Sequence, residues 1–305
     1  MNQRNASAPS AVIMAAGKGT RMGSDLPKVM HPVCGRPMVH WVVDACLEAG
    51  ASPVVLIVGH GADVVREGFR NYAPLRGASS TRGASASSGA PQIEFVIQDP
   101  QLGTGHAVDQ ARPLLAAGRL GRETLVLGGD GPLIRTATLN ELLTAHRSKR
   151  AAATLATSVI PDPGGYGRVL RRADGALDRI VEERDATPEI RALREVNPSY
   201  YCFDTAALFD ALTRVTNTNA AREYYITDVF TLLGKDGKLV AVVDAVPPED
   251  VLSINTPAQL AEVDGLLRAR LARSAGASAN ASAGAGASSP TGAAPFTAAR
   301  TEARP

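Results

Sequence analysis

Cysteine is scarce in this chain: Cys34, Cys46 and Cys202 are scattered, with no CxxC pair and no His/Cys spacing suited to zinc. That pattern argues against a disulfide framework and fits buried thiols in a reducing compartment. Aromatic residues make up only 4%, and no apolar run approaches the ~20 residues a membrane helix needs. Charge of either sign is not in excess, with 32 Lys+Arg against 30 Asp+Glu. Nothing global therefore points to nucleic acid or an anionic membrane as a partner. The opening MNQRNASAPS is polar and lacks the apolar core of a signal peptide. The expectation is a cytoplasmic protein that acts on small molecules. Internal repeats are also missing, hexapeptide periodicity among them.

What is present is an alternation. Apolar runs at 11–16, 53–58, 93–97 and 124–128 read as buried strands, and helix-like periods lie between and after them at 37–49, 61–70, 105–117 and 136–147. Near-continuous apolar strands alternating with helices imply a parallel sheet covered on both faces, joined by right-handed crossovers. Beyond residue 150, runs at 152–159, 168–171, 178–183 and 198–203 are strand-like with few helices between them, which suggests an antiparallel extension. Helical character returns at 205–213 and 226–234, followed by a strand at 238–244 and a helix over about 256–272. The expected fold is α/β: a doubly wound, mostly parallel, Rossmann-like sheet with a mixed antiparallel extension. It forms one domain over 11–273, after a disordered N-terminus at 1–10. The Gly/Ala/Ser-rich segments 76–91 and 274–305 are expected to be a flexible insertion and a disordered tail.

In such sheets ligands bind beyond the carboxyl ends of the strands. The first strand runs into Gly17-Lys18-Gly19-Thr20-Arg21, with Lys28 following. Gly17 and Gly19 are expected to take positive φ and expose N–H groups to an anion, while Lys18, Arg21 and Lys28 bring mobile positive charge. Neither a P-loop nor a dinucleotide fingerprint fits. The first needs G-x-x-x-x-G-K-[ST], and the second wants glycine where Met22 stands.

The stretch AAGKGTRMGSDLPKVMHPVCGRPM resembles the signature of the sugar-phosphate nucleotidylyltransferases, roughly G-x-G-T-R-[MLF]-x(4 to 7)-P-K. Within that family the likeness is to the uridylyltransferase half of the bacterial bifunctional enzymes that make UDP-N-acetylglucosamine. QDPQLGTGHA (98–107), GYGRVLR (165–171), IVEERDAT (180–187) and EYYITDV (223–229) match that half in order, and the likeness covers about 11–270.

The resemblance implies roles residue by residue. Ala15, Ala16 and Gly17 would contact the nucleotide, and Gln98, Gly103 and Thr104 would read uracil, whose edge offers a donor flanked by acceptors. Arg21 would hold the leaving pyrophosphate and Lys28 the reacting phosphates. Asp130, at the end of an apolar strand, and Asn255 would hold Mg²⁺, which prefers oxygen ligands. Gly129, Gly167, Glu182 and Asn197 would face the sugar, whereas Tyr224 and Tyr225 would pack and Asp228 would cap a helix. His60 and His106 have no proton to transfer in this scheme and are expected to be satisfied loop or packing residues.

The implied reaction is UTP plus N-acetylglucosamine 1-phosphate giving UDP-N-acetylglucosamine and pyrophosphate. Its nucleophile is already anionic, so no general base is required. Without hexapeptide repeats, acetyl transfer is not expected. Three departures bear on the sugar rather than on the phosphates. Gly128 replaces an aromatic, Asn197-Pro198-Ser199 replaces Asn-[TS]-Gly, and Arg222 stands where glycine is usual. They leave open another sugar 1-phosphate such as glucose 1-phosphate, dTTP as donor, or a nucleotide-sugar binding protein without turnover. The sequence sets no oligomeric state.

Overall fold

Val54 to Val58 are fully buried without exception, a run that only a strand covered on both faces can use. In the computed structural model, which describes residues 8–75 and 92–284, that run is the fourth strand. In chain order the strands are β1 Ser10–Ala15, β2 Pro32–Val33, β3 Arg36–Pro37, β4 Val54–Val58, β5 Ile93–Ile97, β6 Glu123–Gly128 and β7 Ala153–Ala156. They continue with β8 Ser158–Val159, β9 Gly167–Arg171, β10 Leu177–Val181, β11 Glu195–Asn197, β12 Tyr200–Asp204 and β13 Val240–Val243. The helices are α1 Met38–Glu48, α2 Ala62–Gly68, α3 Thr104–Asp109, α4 Arg112–Ala116, α5 Thr136–Lys149, α6 Pro188–Arg191, α7 Thr205–Leu212, α8 Asp228–Lys235 and α9 Pro257–Gly284.

Among the described residues, seven strands form one sheet in the order β13-β7-β12-β6-β1-β4-β5. The pairs β1–β4, β1–β6, β4–β5 and β13–β7 are parallel, and β12 runs antiparallel to both β6 and β7. The chain winds outward from β1 through β4 to β5 and then returns to β6 on the other side of β1. That reversal creates a crevice at the carboxyl ends of β1 and β6, where such sheets take their ligands. A second sheet, β10-β9-β11-β8, is antiparallel throughout. The expected antiparallel extension is therefore divided: β8, β9, β10 and β11 form a separate small sheet, while β7 and β12 join the large one.

Tyr201, Phe203 and Phe230 anchor the core beneath these sheets, with ring centroids 5.1 Å apart for the two pairs that include Phe230. Few aromatics are present, and this chain concentrates three of them here.

Three expectations differ in detail. The helix expected over 105–117 is two, because Pro113 stands in the first turn of α4, where it can start a helix but not continue one. The strand expected over 198–203 begins only at Tyr200, since Pro198 and the left-handed Ser199 (φ 65°) separate it from β11. The compact body closes at Asp264 rather than 273, while α9 runs on to Gly284, into the segment expected to be disordered. Alternating alanines, the best helix formers, allow it. The insertion 76–91 and the tail beyond 284 lie outside the described residues. At the N-terminus, Ser10 is already in β1.

Candidate active site

The register of β1 against β6 sets the centre of the site. Met14 pairs with Gly128, and the Gly129 N–H donates to Met14 O at 2.9 Å. The two strands therefore release their following loops at the same level. A cleft of ≈ 510 Å³ opens there, and every sequence-predicted site residue except Gly129 lines it. Gly129 is buried behind the wall, where an added Cβ would come within 3.1 Å of Met14 O. Its bare Cα lets β6 turn closely against β1. A larger hollow, ≈ 810 Å³, surrounds Arg122, Arg147, Arg150 and Lys238 at the other ends of the strands, and it holds none of the predicted residues.

The glycine loop differs from expectation at one position. Gly19 is left-handed (φ 63°), and a Cβ there would meet Lys28 Cβ at 2.6 Å, so the lysine stem passes over bare backbone. Gly17 is not left-handed, and a Cβ there would meet nothing within 4 Å. Its missing side chain leaves the cleft mouth open, since no turn demands the glycine.

Four residues far apart in sequence meet at the centre. Lys28 Nζ donates to Asp130 Oδ2 at 2.5 Å and to Asn255 Oδ1 at 3.1 Å, and Arg21 Nη2 donates to the same Asn255 oxygen at 3.1 Å. The Asn255 amide is held from behind, with its Nδ2 on Ser253 Oγ at 3.2 Å and its backbone N–H on Gln259 Oε1 at 2.9 Å. The Ile254 N–H donates to Asp130 O at 2.9 Å, tying the two segments together. A carboxylate and an amide oxygen thus converge on one point that already holds a cation. Hard oxygen donors so placed fit a hard divalent ion such as Mg²⁺.

On the opposite wall Gln98 is 4% exposed. Its Nε2 donates to Gly103 O at 3.0 Å and lies 3.1 Å from His106 Nδ1. His106 also lies 3.1 Å from Gln110 Nε2 through its other nitrogen, so it positions the Gln98 amide. Gly103 (φ 112°) presses against the Tyr224 backbone, where a Cβ would meet the carbonyl oxygen at 2.6 Å. The Thr104 hydroxyl accepts from Ile226 N at 3.0 Å. Gln101, unassigned from the sequence although it lies inside a matched motif, donates to Ala16 O at 2.7 Å and lines the same wall.

The third wall comes from the small sheet. Glu182 Oε1 accepts from the Thr227 hydroxyl at 2.9 Å. Burial pushes the Glu182 carboxyl above its usual range, the Thr227 bond draws it down, and Asp185, Asp228 and Glu223 push it up. Gly167 is closely packed here, since a Cβ would lie 3.2 Å from Ile180 Cγ2 and 3.3 Å from Glu182 Oε2. Asn197 donates to Tyr201 Oη at 2.7 Å, and its Oδ1 accepts from Ser199 N at 3.1 Å. Tyr166 and Thr227 were not foreseen as site residues, although both lie in matched motifs. Asp228 occupies the first position of α8 and not its N-cap, which is Thr227, and the Thr227 side chain makes no capping bond to the helix backbone, so the expected cap is absent. Tyr225 bonds Asp185 through its hydroxyl at 3.1 Å.

The profile of the MobA-like NTP transferase domain matches residues 11–226. The chain belongs to that family. It is a nucleotidyltransferase, and it is 47% identical over 264 residues to the "Bifunctional protein GlmU" of Geobacter metallireducens, covering 87% of this chain and 51% of the relative. The protein of the same name from Geobacillus thermodenitrificans is 43% identical over 263 residues, covering 86% of this chain and 52% of the relative. The chain thus spans about half the length of the curated relatives it matches. A solved UDP-glucose pyrophosphorylase complexed with UDP-glucose shares the fold, with a TM-score of 0.65 and 15% identity, covering 86% of this chain and 99% of that one. Among the described residues no helix is long and apolar enough to cross a membrane.

Proposed function

We propose that this nucleotidyltransferase moves a uridylyl group from UTP to N-acetylglucosamine 1-phosphate with Mg²⁺, releasing pyrophosphate. The observation that carries the reading is the convergence of Lys28, Arg21, Asp130 and Asn255 at the mouth of β1 and β6. A binder without turnover has no need of a cation pair set against an oxygen pair. Asp130 and Asn255 would hold the metal, which supplies neutralisation of phosphate charge. Arg21 and Lys28 add charge that needs no reorganisation as the transferred phosphate changes partners. Ala15, Ala16 and Gly17 leave room for the nucleotide, and Gln98, Gly103 and Thr104 read the uracil edge. Gly167, Glu182 and Asn197 take the sugar side. The nucleophile is a phosphate oxygen, so alignment of two anions is the main task. Residence in the cytoplasm belongs to the same proposal.

One observation favours a different sugar 1-phosphate. Pro198 offers no N–H, and Asn197 spends a donor on Tyr201 and an acceptor on Ser199, so this corner has less to give an acetamido group. Pyrophosphate release with UTP and Mg²⁺ decides between them, run with N-acetylglucosamine 1-phosphate and with glucose 1-phosphate. Preference for the N-acetyl sugar supports the proposal. Preference for glucose 1-phosphate keeps the chemistry and changes the substrate. Silence with both sugars, and again with dTTP, removes the proposed activity.

A further inference from the structure

The oxygen pair of the site is already engaged. Lys28 Nζ lies 2.5 Å from Asp130 Oδ2 and 3.1 Å from Asn255 Oδ1, with the two charged side chains only 16% and 24% exposed. The other Asp130 oxygen, Oδ1, lies where a Cβ on residue 128 would come within 2.7 Å of it. Gly128 is in β6 without a left-handed backbone, so nothing in the main chain demands glycine there. Its bare Cα is the space into which the Asp130 carboxylate leans while it faces Lys28. Gly19 serves the partner in the same way, since a Cβ there would strike Lys28 Cβ at 2.6 Å. Two glycines thus shape a seat for one ion pair.

We infer that in the nucleotide-free protein Lys28 is the resident cation of the Asp130–Asn255 oxygen pair, so that a divalent ion enters with the nucleotide and not before it. The inference rests on the proposed reading of Asp130 and Asn255 as metal ligands. An ammonium within hydrogen-bond range of both oxygens repels a second cation at that point, and this repulsion is strong where solvent is partly excluded. A nucleoside triphosphate changes the balance because its phosphate oxygens give Lys28 another anionic partner. The carboxylate is then released to the ion that the triphosphate brings.

Mn²⁺ binding to the full chain, followed by the electron paramagnetic resonance of the free ion, tests this without turnover. In the absence of nucleotide, Lys28→Met is expected to bind Mn²⁺ about tenfold or more tightly than the wild type. Gly128→Ala keeps both charged residues and displaces only the carboxylate, so it is expected to tighten binding severalfold. Asp130→Asn introduced into either variant is expected to abolish the gain. Equal affinity in wild type and both variants overturns the inference, as does failure of both variants to bind. Mn²⁺ uptake in the presence of UTP, compared between wild type and Asp130→Asn, separates the two ideas. Loss of uptake in Asp130→Asn keeps the metal reading even when the Lys28 inference falls; unchanged uptake removes Asp130 from the metal site.

Discussion

Thr227 donates its hydroxyl to Glu182 Oε1 at 2.9 Å, a bond between the N-cap of α8 and the residue that follows β10 of the small sheet. It is the contact that draws the Glu182 carboxyl down while burial and three neighbouring acids push it up. Removing it with Thr227→Val is expected to raise the Glu182 carboxyl further. If Glu182 serves the sugar as a carboxylate, kcat/KM falls as pH drops through its raised value. The acid limb of the profile then moves to higher pH in the variant, and KM for the sugar phosphate rises about tenfold. A profile identical to wild type would take Glu182 out of the sugar site.

Asp130→Asn keeps the shape of the side chain and removes its charge. Pyrophosphate release is expected to fall by about 10²–10³, the scale seen when one fixed electrostatic group is lost from a preorganised site. Circular dichroism should show an intact fold, because Ile254 bonds the Asp130 backbone oxygen and not the side chain. Release at the wild-type rate would rule out the proposed role of Asp130.

Ser199 and Arg222 occupy left-handed backbone, with φ of 65° and 55°, at positions where the resemblance expects glycine. A side chain there costs about 1–2 kcal/mol of strain, partly offset by the lower entropy of the unfolded chain. Ser199→Gly and Arg222→Gly are each expected to stabilise the protein by about 0.5–1 kcal/mol in urea unfolding. The bond from the Ser199 N–H to Asn197 Oδ1 is made by the backbone and is kept in Ser199→Gly. Destabilisation by both would mean that their side chains hold contacts worth more than the strain.

His40 is 7% exposed and packs edge-on against Phe69 and Tyr72 at 4.5 and 4.9 Å. Burial, with Arg36 adding to it, lowers its pKa to about 4. The folded chain therefore holds this imidazole neutral where an unfolded one, at about 6.5, begins to take up a proton. Stability is full above that unfolded value and is lost as pH falls from about 6.5 towards 4. Melting temperatures measured from pH 7 to pH 4.5 are expected to drop more steeply for the wild type than for His40→Gln. Parallel curves would assign the acid sensitivity elsewhere.

Much of the architecture was legible because it is written in local periodicity. The burial of β4 follows from five consecutive apolar residues, and the alternation of strands and helices up to residue 150 fixes a parallel sheet before any coordinate is known. Two segments that line the cleft, within residues 15–28 and 98–104, were legible for a similar reason, since each is contiguous along the chain. Where proline intervened, local reading misjudged the lengths: Pro113 divided one expected helix, and Pro198 with Ser199 delayed one strand. The C-terminal helix outran its expected end because polarity suggested disorder where alanine propensity favours a helix.

The sequence by itself determined the strand–helix order and the cationic loop after the first strand, since each depends on residues close together along the chain. Only the tertiary structure decided that Lys28 and Arg21 meet Asp130 and Asn255, that Gly129 stays behind the wall, that Thr227 supports Glu182, and that Gly128 makes room for a carboxylate. The meeting of Lys28 with Asp130 and Asn255 depends on the register of β1 against β6 and on the backbone bond from Ile254 to Asp130. Residues so far apart in sequence are brought within hydrogen-bond range by crossovers and packing, which no local pattern encodes.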